Sequence, residues 1–184
     1  MSGPPAELVF QELKVFVYAG AAHCRDCSRV EVPSPAGSSH DVTPLTFDVS
    51  QTLDGAVVAS AAFRSVCERV DGIRFEPIGG LDDRWVVEID RTVRVDPFGS
   101  HVRAGPTCET CGRPRYVTRS GPLHLETGES LEPGFSRTDV EFGDTADFGP
   151  SQPIRLRPSL LVDRGTARLL KASDLLGVHL ITQP

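Results

Sequence analysis

The stretch Val57-Val58-Ala59-Ser60-Ala61-Ala62-Phe63-Arg64-Ser65-Val66-Cys67-Glu68-Arg69-Val70-Asp71-Gly72-Ile73-Arg74-Phe75 decides the fold. Three apolar residues lead into Ser60, whose hydroxyl can accept from the unpaired amides of a first helical turn. Phe63, Val66, Cys67 and Val70 recur at spacings of three and four, which defines one face of a helix over 61–70. Gly72 ends the helix, and Ile73 to Pro77 reads as a strand. A second stretch repeats this order. Val57-Val58-Ala59-Ser60 corresponds to Leu160-Leu161-Val162-Asp163, and Val66-Cys67 to Leu169-Leu170. Gly72-Ile73-Arg74-Phe75 corresponds to Gly177-Val178-His179-Leu180.

A Cys-x-x-Cys pair precedes each module: Cys24-Arg25-Asp26-Cys27 and Cys108-Glu109-Thr110-Cys111. Four thiolates in two such pairs can close a tetrahedral shell around one zinc ion. Gly112 follows the second pair and can take the positive-φ turn of a knuckle. The alternatives are a redox role for one pair, which should sit at the start of a helix after a strand, and reduced cysteines that hold no metal. A catalytic zinc would need an open coordination position, which four thiolates do not leave. His23 beside Cys24 reads as a flank of the first knuckle, and Cys67 as a core thiol on the helix. The other histidines, His40, His101, His124 and His179, are scattered and sit beside no nucleophile motif.

The chain is therefore expected to be a single domain over 1–184 with a diverged internal duplication, about 8–80 and about 85–184. Each half runs knuckle, strand, helix, strand. The expected fold class is α+β, a mainly antiparallel sheet with a zinc-ribbon-like cysteine knuckle pair. Further strands are expected over 8–18, at Pro44 to Val49 and in Trp85 to Val95, with a turn at Asp96 to Gly99. A hairpin is expected between Arg115–Thr118 and Leu123–Leu125. The polar stretch from Gly128 to Gly149, with one strand at Val140 and Phe142, reads as a surface excursion that lengthens the second half.

Composition narrows the function. The 184 residues are 39% hydrophobic, enough for a core, and 17 glycines with 15 prolines imply many turns. No run of apolar residues is long enough to span a membrane, and Met1-Ser2-Gly3-Pro4-Pro5 does not open a secretory signal. Paired cysteines without an export signal favour a metal site in a reducing cytoplasm. The formal net charge of −6 opposes sequence-independent nucleic-acid binding. No phosphate loop or nucleophile elbow points to an enzyme.

On these knuckles, on Thr138-Asp139-Val140-Glu141-Phe142 and on the closing segment from Leu161-Val162-Asp163 to Gly177-Val178-His179-Leu180, the chain resembles the double-CXXCG motif family, a paralogous set best populated in myxobacteria. One departure is plain: Cys27 is followed by Ser28, so only the second knuckle has the full CXXCG form. Some members of that family are immunity proteins, which neutralise a cognate toxin passed between neighbouring cells. The resemblance implies a non-catalytic binding protein of that kind, as in toxin–antitoxin pairs, with zinc as a structural staple.

The acidic residues Glu126, Glu129, Glu132, Asp139, Glu141, Asp144 and Asp147 form the expected partner-binding row, with Phe135, Phe142 and Phe148 among them. Such a row suits a basic partner, because acidic surfaces steer cationic ones. It equally suits a solvated loop. The alternative is a zinc-ribbon nucleic-acid-binding or transcription accessory protein, carried by Arg103, Arg113, Arg115 and Arg119 around the second knuckle.

Overall fold

A computed structural model describes residues 6–13, 24–27, 46–52, 55–79, 81–144 and 156–182. In the first half, β1 (Ala6–Leu13) is followed by β2 (Val49–Thr52), β3 (Val57–Ser60), helix α1 (Ala61–Cys67) and β4 (Ile73–Pro77). In the second, β5 (Arg84–Ile89), β6 (Thr92–Val93), β7 (Val102–Ala104) and β8 (Tyr116–Arg119) lead to β9 (Phe135–Asp144). β10 (Arg157–Val162), helix α2 (Arg164–Ala172) and β11 (Val178–Thr182) complete it. The result is a mainly antiparallel sheet with two helices, an α+β architecture.

Ser60 and Asp163 cap the two helices as their sequence positions require. Phe63 N donates to Ser60 Oγ, and the Asp163 carboxylate accepts from Gly165 N and Thr166 N. Phe63 and Cys67 bury the inner face of α1, and Leu170 does the same for α2. Burial pushes the Cys67 thiol up to about 12, so it stays protonated and serves as a core residue.

The opening strands are exchanged between the halves. β5 lies antiparallel between β3 and β4, with Val87 opposite both Val57 and Phe75. β1 lies antiparallel between β10 and β11, with Leu8 opposite both Leu160 and Leu180. Further along, each returns to its own half and turns parallel: Gln11 to Leu13 beside β2, and β6 beside β9. One buried cluster accordingly mixes Leu8, Phe10, Val49 and Phe63 with Val87, Ile89, Phe135 and Leu170.

Matching backbone joints lock the exchange. Phe135 N donates to Asp71 O at 2.9 Å, and Asp48 N donates to Leu176 O at 2.9 Å. Ser60 N donates to Asp48 O, and Asp163 N to Gly134 O. The turn after each helix needs glycine. Gly72 has φ +78°, and a Cβ there would lie 2.1 Å from the Phe135 carbonyl oxygen. Gly177 has φ +87°, and its Cβ would lie 2.4 Å from the Val49 carbonyl oxygen.

Four expectations change. The second expected strand is extended only from Val49 on, and residues 46–48 are not strand, because Asp48 is a bent joint: its backbone serves Leu176 and Ser60, and its carboxylate accepts from Ser60 Oγ and Leu176 N; Pro44 and Leu45 lie outside the described residues. Helix α1 stops at Cys67, since Val70 N already donates to Cys67 O in a closing turn. Leu123–Leu125 does not pair with β8. Ser100 Oγ holds the His124 backbone in both directions, Val95 bridges Leu125, and β8 pairs instead with β7 and β9. The strand expected at Val140 and Phe142 is present but begins earlier: β9 runs from Phe135, pairs with β10, β8 and β6 and buries Phe135, Ser136 and Thr138, so this part of the stretch is not a surface excursion. Residues 14–18 of the first expected strand and the loop at 32–41 lie outside the described residues.

Gly72→Ala should lower stability by at least about 2 kcal/mol, because a positive φ and a collision with backbone add. Gly112→Ala should cost only about 1–2 kcal/mol, since its φ of +70° is strained but no atom lies within 4 Å of the added carbon. Urea unfolding of the two variants checks the order, and equal losses would refute the close approach at Gly72.

Asp163 gives a pH signature. Burial alone would raise its pKa, but amides of Gly134, Gly165 and Thr166 and the Thr166 hydroxyl hold the carboxyl below its ordinary value. A depressed native pKa contributes stability above the unfolded value of about 3.9 and loses it as pH falls through the native one. Asp163→Ala should therefore cost about 1–2 kcal/mol at neutral pH. The gap from the parent should narrow below about pH 4, read from melting temperatures across that range.

Candidate metal centre

The second knuckle is a hairpin tip. Thr107 and Pro114 bridge below it, Cys108 N donates to Arg113 O at 2.8 Å, and Gly112 N donates to Cys108 O at 2.9 Å. Gly112 takes the left-handed conformation that closes such a loop. This tip folds back the Cys111 and Thr110 amides onto the Cys108 sulfur. Hydrogen bonds from Cys111 first, then Thr110, outweigh burial and lower the Cys108 thiol to about 7.

Cys24 to Cys27 form a turn that faces this tip. Cys24 Sγ lies 3.8 Å from Cys108 Sγ, and Cys27 Sγ lies 3.7 Å from Cys111 Sγ. All four sulfurs lie within 4.8 Å of one another. A tetrahedral ion with metal–sulfur bonds of about 2.3 Å would set its ligands about 3.8 Å apart, so the spacing fits one ion. It is too long for a disulfide, whose sulfurs sit about 2.05 Å apart. Cys24, Cys27 and Cys108 are buried and Cys111 is half-buried. The Thr110 hydroxyl donates to the Asp26 carboxylate, a further link between the knuckles. The four cysteines are thus placed to hold one metal ion, each pair supplied by a different half of the chain.

The other candidate residues are dispersed. Arg94 engages both Glu126, at 3.4 Å, and Glu129, at 2.8 Å, while Arg91 faces Glu132 at 3.5 Å. Asp139 accepts from Val95 N. Glu141 lies along β9 and Asp144 ends it, opposite Tyr116. Asp147, Phe148, His23, Ser28 and His40 lie outside the described residues. Much of the acidic row is therefore engaged within the protein. Of the four arginines near the second knuckle, Arg103, Arg113 and Arg115 are exposed. Arg119 instead reaches inward to grip both oxygens of buried Glu7, at 3.0 and 2.8 Å, where the Ser159 hydroxyl also donates. The Tyr116 ring packs on Gly105, where an added Cβ would lie 2.3 Å away.

Compared with known proteins, the chain matches no family model, no curated protein and no solved structure. No helix among the described residues is long and apolar enough to cross a membrane.

Cobalt(II) titrated into the reduced, metal-free chain should bind at one equivalent and give the visible absorption of tetrahedral thiolate coordination. Cys108→Ser should weaken binding by at least about tenfold and lower the melting temperature of the metal-loaded chain. Full metal content with an unaltered melting temperature in that variant would count against a shared site.

Proposed function

We propose that the chain is a non-catalytic binding protein in which one zinc ion staples two zinc-ribbon-like knuckles. The supporting observation is the closure of the sulfur cluster. Four thiolates satisfy a zinc ion and leave no position for water or substrate. The ion would then contribute by holding two distant parts of the chain together. The matching joints at Gly72 and Gly177 support reading the halves as copies of one duplicated unit.

The resemblance to the double-CXXCG motif family supplies the biological reading. The chain acts as an immunity protein, binding a cognate toxin or effector domain and occluding its active site. The net charge of −6 favours a protein over nucleic acid as partner. The inward commitment of Arg119 and the packing of Tyr116 on Gly105 further weaken the nucleic-acid alternative, which would need those groups at the surface.

Expression of the chain should restore growth to cells producing an effector encoded beside it. The purified pair should form a complex with one copy of each and lose the effector's activity. Growth that stays arrested, with no complex on gel filtration, would overturn the immunity reading. Binding to DNA or RNA that falls steeply with salt would favour the alternative.

A further inference from the structure

The two outermost ladders of the exchanged modules are treated differently. β4 reads Ile-Arg-Phe-Glu-Pro, and β11 reads Val-His-Leu-Ile-Thr. Among the described residues each pairs on one side only, β4 with β5 and β11 with β1. Edge strands are commonly guarded against pairing by charges and proline. β4 carries both, Arg74 and Glu76 with Pro77, and Arg74 is tied to Asp90 at 2.6 Å. β11 has neither, and Ile181 on it is half exposed.

A groove of about 760 Å³ runs between this edge and α2. Ala6, Ala167, Leu170, Leu175, Val178 and Leu180 give it an apolar floor. Val178, His179 and Leu180 all line it, and consecutive strand residues point to opposite faces. The groove therefore follows β11 along its length. Arg164, Arg168 and Lys171 form its rim, spaced by four and three along one side of the helix. None of the three makes an ion pair with another described residue, whereas Arg74, Arg84, Arg91, Arg94 and Arg119 all do. Asp174 is the only acid among the described residues of the lining. The local sign is thus opposite to that of the whole chain.

We propose that β11 accepts an extended segment of a partner protein as an added strand. The segment places apolar side chains on the groove floor and carboxylates against Arg164, Arg168 and Lys171. Main-chain hydrogen bonds along β11 supply the affinity, and the cations select an acidic segment over a basic one. This inference rests on reading the chain as a protein-binding scaffold and adds the surface and the chemistry of what it takes.

The test uses the full, zinc-loaded chain and a labelled peptide about ten residues long that alternates glutamate with valine. The control peptide carries lysine in place of glutamate. The acidic peptide should bind at least about tenfold more tightly than the control. It should also slow hydrogen exchange at alternate amides of Val178–Thr182. Combining Arg164→Glu, Arg168→Glu and Lys171→Glu on the exposed rim should weaken binding by about tenfold or more. Ile181→Lys, which adds a guard to the edge and keeps the rim, should weaken it as well. Equal affinity for the two peptides, binding without protection of β11, or binding unchanged in either variant would overturn the proposal. Neutralisation of an effector by the triple variant would leave the immunity reading standing and remove only this surface.

Discussion

The exchange of opening strands is the constraint on which the rest of the structure depends. β1 is the only described strand that joins β10 to β11, and β5 does the same for β3 and β4. Neither half can satisfy its backbone without the other's first strand, since a strand left unpaired in a core strands its polar groups. The apolar groups of β1, Ala6, Leu8 and Phe10, are buried with residues of both halves. Buried Glu7 on the same strand, held by Arg119 and Ser159, adds a charge-assisted link to β8 and β10.

The cysteine cluster repeats this logic in a different chemistry. Each knuckle belongs to one half, and close sulfur contacts of 3.8 and 3.7 Å run between the halves. A metal there closes a loop of 84 residues, a large restriction on the unfolded chain. The same body presents two unlike surfaces. One carries acids largely engaged with Arg91 and Arg94, and the other carries cations that make no ion pair among the described residues, beside a strand that pairs on one side only among them.

The modules around α1 and α2 and the four cysteines were legible because their signals are local: a cap, a period of three to four, a glycine and a two-residue spacer. The first part of β9, before Val140, was hidden because its burial does not follow from hydrophobicity. Ser136 and Thr138 are buried polar residues, and Thr138 Oγ1 donates to Val140 O while accepting from Ser159 N at the register shift beside Pro158. Partner choice was hidden too. Nothing in Leu123-His124-Leu125 announces that Ser100 will claim its backbone, and nothing in β1 announces that it will cross to the other half. The row Arg164, Arg168 and Lys171 carries no signal of its own in the sequence reading, and only the fold shows that it borders a groove.

The exchanged topology also sets a timetable for biosynthesis. β1 emerges from the ribosome well before β10 and β11, its antiparallel neighbours. At about 5–20 residues per second the interval is on the order of ten to thirty seconds. Through that interval Leu8 and Phe10 have no finished core to enter, and the nascent strand is open to pairing with a neighbouring chain. The strand that completes the second module is thus made first and used last.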